Sequence, residues 1–163
     1  MLEAFALSET ADNQTDDTVE LTYQERQKSR HKTQTQSGAP LGWFLERGHV
    51  LADGERLLCS NGKIVQVQAA LEPVSQVESA DKHLLMRAAY HLGNRHVPLQ
   101  IDENFLRYQH DHVLDAMLVG LGLTVGFTRL PFHPENGAYH GQSHGHSHSH
   151  AEGHNHAHSH SHA

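Results

Sequence analysis

The sequence predicts an α+β protein: a small all-β domain, then a domain of alternating strands and helices, then a disordered tail. Three observations carry this. The first half holds short β-prone runs separated by turn signals. The second half reads strand, helix, strand, strand, helix, strand. The closing segment His144–Ala163, HGHSHSHAEGHNHAHSHSHA, contains no Leu, Ile, Val or Phe, so it buries too little apolar surface to offset its ordering entropy.

Residues 1–18 read as a flexible acidic lead-in, because Ser8–Thr18 is SETADNQTDDT. Residues 19–71 form the β-rich unit. Asn61-Gly62 within CSNGKIVQVQ marks a tight hairpin turn, and Ile64, Val65 and Val67 favour a strand after it. Turn signals recurring roughly every 8–12 residues point to a small sandwich or barrel. Residues 72–139 form the second unit. It opens with the strand VSQVE; Ser79 or Asp81 then caps a helix to about Leu92, with Gly93 at its end. Leu84, Ala88 and Leu92 share one face of that helix. HVPLQID and FLRYQH are short strands. Asp111 caps a second helix with the apolar stripe Val113, Leu114, Met117, Leu118 and Leu121, ended by Gly122. LTVGFTRL is the final strand. The order βαββαβ is the ferredoxin-like arrangement, with two helices on one face of an antiparallel sheet. Residues 140–163 form the histidine-rich tail.

Composition narrows the function. With 12 Lys and Arg and a formal charge of −7, the chain lacks the clustered cations that nucleic-acid backbones require. The single cysteine, Cys59, excludes an intramolecular disulfide and any multi-cysteine metal site within one chain. It reads as a small buried hydrophobe. No apolar run near the ~18 residues of a membrane span and no charged-then-apolar leader is visible, so a soluble cytoplasmic protein is expected. HExxH, P-loop, GxSxG and GxGxxG patterns are absent, and no enzymatic activity is expected.

What remains is imidazole. The chain has 18 histidines. His144, His146, His148, His150, His154, His156, His158, His160 and His162 crowd the tail. Alternating His-x-His spacing lets neighbouring rings project together in extended chain. All-imidazole sites suit Ni²⁺, Cu²⁺, Zn²⁺ and Co²⁺, and Cu²⁺ binds tightest in vitro, so ligand type alone does not select the metal.

Four earlier histidines are candidates beside the tail. His91 lies near the end of the first helix, and His96 follows in the loop GNRH. His110 and His112 flank Asp111 at a strand-to-helix junction, where an i, i+2 pair chelates only if the chain is extended or at the helix boundary. Each has an ordinary alternative: His91 against the last helix carbonyls, His96 as a loop residue, HDH as polar residues gathered at a helix start. The tail tips the balance toward metal. His49 and His83 read as surface residues, His31 as part of a solvated face with Lys28, Arg30 and Lys32, and His133 as an accessory to the tail.

These residues also carry a family likeness. YHLGNRHVPLQ at 90–100, LRYQHDHVLDAML at 106–118, GLTV at 122–125, then Pro131-Phe132, Pro134-Glu135, Gly137-Ala138-Tyr139 and the histidine-rich tail resemble the urease accessory protein E family, nickel metallochaperones of urease maturation. Lys28-Ser29-Arg30 and Gly48-His49-Val50-Leu51 are weaker anchors in the first half, and the stretch before Val19 looks like an extension. The resemblance implies a peptide-binding N-terminal β domain and a ferredoxin-like metal-binding domain that joins two chains as a homodimer. It implies that His96 is the principal nickel ligand, His110 and His112 additional ones and His91 an accessory one, with nickel also bound by the tail. It implies delivery to the urease apoprotein with the accessory GTPase as partner. A storage or detoxification protein without a delivery partner is the alternative reading.

Imidazole must be neutral to bind metal, and its ordinary pKa is about 6.5. Bound nickel at saturation is therefore expected to fall sharply between pH 7.5 and 5.5 in equilibrium dialysis. Equal stoichiometry at both values would rule out imidazole ligation.

Overall fold

A computed structural model describes residues 1–137. The chain forms two sheets, each with its own core, joined by a small apolar seam. The expected tail, residues 140–163, lies outside the described residues.

The N-terminal unit contains β1 (Leu2–Leu7), β2 (Asp17–Leu21), the short helix α1 (Tyr23–Arg26), β3 (Arg30–Gln34), β4 (Pro40–Phe44), β5 (Arg56–Cys59) and β6 (Ile64–Ala69). The six strands order as β2-β6-β5-β1-β4-β3. The edges approach one another: Gln36, just after β3, donates its backbone N–H to the Thr18 carbonyl of β2 at 2.8 Å. The sheet thus curls toward a barrel around fully buried Trp43, Leu21, Leu57 and Val65. The β5–β6 hairpin closes as expected at Asn61-Gly62: Gly62 takes φ 83° and the Cys59 N–H reaches the Lys63 carbonyl.

The lead-in expected at residues 1–18 is corrected for its first part. Leu2–Leu7 is an interior strand, parallel to β4 through Leu2↔Leu41 and antiparallel to β5 through Ala4↔Cys59. Ala4 is fully buried. Only two of its neighbours define this strand, and both lie far along the chain, so the local sequence carries little sign of it. Cys59 is buried as expected, and burial, then nearby Asp16, pushes its thiol above the ordinary range.

The C-terminal unit contains β7 (Leu71–Glu78), α2 (Lys82–Asn94), β8 (Leu99–Ile101), β9 (Phe105–Gln109), α3 (His112–Gly120) and β10 (Val125–Pro131). Its strands pair antiparallel in the order β10-β7-β9-β8, the ferredoxin-like topology. Leu85, Ala88 and Leu92 of α2 and Leu114 and Leu118 of α3 pack on Val77, Leu106 and Tyr108 of the sheet. Asp81 caps α2 and Asp111 caps α3, each accepting a backbone N–H of its helix's first turn.

Between the units, the Tyr23 ring meets Phe132 edge-on at 5.5 Å and the Tyr23 N–H donates to Glu72 Oε2 at 2.7 Å. The buried Arg26 guanidinium donates to the carbonyls of Leu51 and Phe132. These bonds tie α1 to one end of the β7–β10 pair, at the start of β7 and just past β10.

Deleting residues 1–7 is expected to open the N-terminal core. Trp43, the only tryptophan, is the reporter: its emission should shift to the red without denaturant. An unchanged spectrum and urea midpoint would restore the lead-in reading.

Candidate metal centre

Strand register gathers the candidate histidines at one end of the second sheet. β9 ends where β8 begins, since Leu99 pairs with Tyr108, and where β7 begins, since Val74 pairs with Gln109. α2 runs toward this end and α3 starts from it. The last turn of α2 (His91), the loop into β8 (His96), and the β9–α3 junction (His110, His112) therefore share that end, as does His133, whose N–H donates to Gln100 Oε1 in β8. Topology brings the elements together, but no group of three or more His, Cys, Asp or Glu side chains converges as a metal site among the described residues.

His96 is exposed and has the only left-handed non-glycine backbone among the described residues, at φ 57°. The cause is the way α2 ends. The His96 N–H bonds the Gly93 carbonyl at 3.0 Å and the Val97 N–H bonds the Leu92 carbonyl at 3.3 Å. Val97 also packs with the core cluster that holds Leu92. This is the Schellman closure, whose left-handed position usually belongs to glycine. Gly93, expected to end the helix, instead stays within it three residues too early. The closure places the His96 imidazole just past a helix C-terminus, where the aligned carbonyls favour a cation.

His91, half-exposed, sits in the last turn of α2 with its ring edge-on to Tyr90 at 5.3 Å. His112 is exposed at the first position of α3, and Asp111 before it is extended (φ −153°), so the HDH pair straddles the helix boundary as expected. His110 is less free than the sequence suggests. Its Nδ1 lies 3.1 Å from Ser75 Oγ and 3.4 Å from Asp115 Oδ2, and its ring stands edge-on to Phe127 at 4.7 Å. Asp115 in turn accepts the Tyr108 phenol at 2.5 Å. Burial, then the bond to Asp115, pushes the Tyr108 hydroxyl well above its ordinary pKa, so it remains a donor. The sequence reading did not single out Ser75, Asp115 or Phe127. The one available signal was a carboxylate in the first turn of the helix that follows HDH.

Other histidines are engaged elsewhere. His49 Nε2 faces both oxygens of Glu55 at 3.1 Å. His31 departs from the solvated face expected for it: its ring packs edge-on to Trp43 at 5.1 Å, with Nε2 3.4 Å from Glu25. The tail candidates His144 to His162 lie outside the described residues. No helix among the described residues is long and apolar enough to cross a membrane.

The N-terminal domain model of the UreE urease accessory protein matches residues 2–70, and the C-terminal domain model matches residues 72–162. The match from residue 2 corrects the reading of the stretch before Val19 as an extension. A urease accessory protein UreE of Saccharophagus degradans is 60% identical over 139 residues, covering 85% of this chain and 83% of the relative. That of Teredinibacter turnerae is 57% identical over 142 residues, covering 86% and 92%. One from Pseudomonas putida is 57% identical over 123 residues, covering 75% and 74%.

The strained backbone at residue 96 has a measurable sign. His96→Gly is expected to stabilise the C-terminal unit by about 1 kcal/mol, because glycine takes the left-handed conformation without a Cβ clash. Urea unfolding followed by far-UV circular dichroism measures it; a loss of stability would contradict the closure described.

Proposed function

The chain belongs to the UreE family of urease accessory proteins, and on that premise we propose that it is a nickel metallochaperone that binds Ni²⁺ and delivers it to the urease apoprotein. The observation that carries this reading is the gathering of His91, His96, His110 and His112 at one open end of the ferredoxin-like sheet, with no closed ligand set among the described residues. A closed four-ligand site retains its ion, whereas an exposed and incompletely liganded one releases it to a recipient.

Two chains pair through their C-terminal units, and a two-fold axis brings two His96 rings to one ion. The outward face of α2 supports a pairing surface there: Met86 and Tyr90, one turn apart, are 64% and 69% exposed, and Tyr90 adjoins His91. His110 and His112 form additional sites, and His91 an accessory one. The tail histidines load and buffer the metal. Cu²⁺, Zn²⁺ and Co²⁺ compete in vitro, as the ligand set dictates. The work is done in the cytoplasm with the accessory GTPase of urease maturation.

Nickel titration of the full chain beside His96→Ala, with solution mass measured in parallel, tests the assignment. Loss of the tightest site in an intact dimer is the expected outcome, and unchanged binding would sink it. Removing residues 144–163 is expected to lower capacity while urease activation persists at adequate nickel. Activation that falls in step with capacity would favour storage instead.

A further inference from the structure

We propose that Asp115 is the positioning residue for His110: it holds the proton of that imidazole on Nδ1 and so presents Nε2 as the metal-binding nitrogen. The inference rests on the reading of His110 as a nickel ligand and adds the residue that makes it one.

The hydrogen-bond pattern around the ring decides the tautomer. Tyr108 donates its only hydroxyl proton to Asp115 Oδ1 at 2.5 Å. Ser75 stands directly across the strand pair from Tyr108. Its Oγ lies 3.1 Å from His110 Nδ1, where a hydroxyl can donate or accept. Asp115 Oδ2, 3.4 Å from the same nitrogen, is an acceptor. The carboxylate beside Nδ1 offers only lone pairs, and the Ser75 hydroxyl can rotate to offer its own, so Nδ1 carries the hydrogen and Nε2 keeps its lone pair.

The frame around the ring is rigid. Ser75 and Tyr108 are fully buried in β7 and β9, and Phe127 of β10 packs edge-on to the imidazole. His110 itself stays 40% exposed, and Nε2 makes no hydrogen bond among the described residues. A carboxylate on the far nitrogen of a ligating histidine orients the ring and raises its basicity, and removing such a partner weakens metal affinity by roughly 10–100-fold. His112, on the outer side of the same turn, has no such frame among the described residues, so the two histidines of HDH are unequal ligands.

The test is long-range ¹H–¹⁵N spectroscopy of the imidazoles in the full chain at pH 8, with His110 signals identified by their loss in His110→Ala. The wild type is expected to show His110 protonated on Nδ1 and its signals broadened by substoichiometric Ni²⁺. In Asp115→Asn the side-chain amide can donate to Nδ1, which moves the proton to Nε2. The nickel needed to broaden His110 by half should then rise about tenfold or more, with His112 unchanged. Tyr108→Phe, which frees Asp115 without removing it, should move both readouts the same way by less. A His110 response to nickel that is equal in wild type and both variants overturns the role of Asp115, as does an Nε2–H tautomer in the wild type. A wild-type His110 that keeps the Nδ1–H tautomer but ignores nickel while His112 responds instead overturns the reading of His110 as a ligand.

Discussion

One bond, from the buried phenol of Tyr108 to the carboxylate of Asp115, ties the central strand β9 to the helix α3 that leaves it. Tyr108 is fully buried, and a phenol without a partner in such a place costs on the order of 1–3 kcal/mol. The carboxylate meets that need from one turn inside α3. Between the two anchors lie only Gln109 to Leu114, so the junction that carries His110, Asp111 and His112 has little freedom. Asp111 removes more of it by accepting two N–H groups of the helix it caps. The place where His110 and His112 emerge is therefore a consequence of core satisfaction.

The two helices of this unit end in the same way but with different residues in the critical position. After α3, Gly122 takes φ 102°, the Leu123 N–H reaches the Leu118 carbonyl, and the closure is unstrained. After α2, His96 takes that place at φ 57° with the equivalent bonds. A left-handed L-residue costs about 1–2 kcal/mol. The fold tolerates it because Val97 and Leu92 bury their side chains on the other side of the closure. The strained backbone of this exposed histidine is thus held by the apolar packing beneath it.

The N-terminal sheet shows the reverse relation between local signal and final structure. The β5–β6 hairpin was legible because Asn-Gly encodes its turn within five residues. β1 was not: LEAFAL is flanked by acidic chain, and its partners β4 and β5 lie about 40 and 55 residues away. Its place between them is decided by nonlocal pairing. The joint to the second unit has the same character. Nothing around Arg26 in the sequence announces that its guanidinium will be buried against the carbonyl of Phe132.

The sequence by itself determined the element order of the second unit, the cap at Asp111, the inward face of α2 and the abundance of imidazole, because each is written in periodicity or residue type within a short window. It also named His91, His96, His110 and His112. Only the tertiary structure decided that those four share one end of a sheet, since that follows from β7, β8 and β9 aligning in register. Only it decided that His96 replaces a glycine, that His31 packs on Trp43 instead of facing water, and that His110 is held by Asp115 while His112 is free of such a frame among the described residues. These are facts of side-chain contact across strands and helices, and contact between distant residues is set by the packing of the whole, not by any window of the chain.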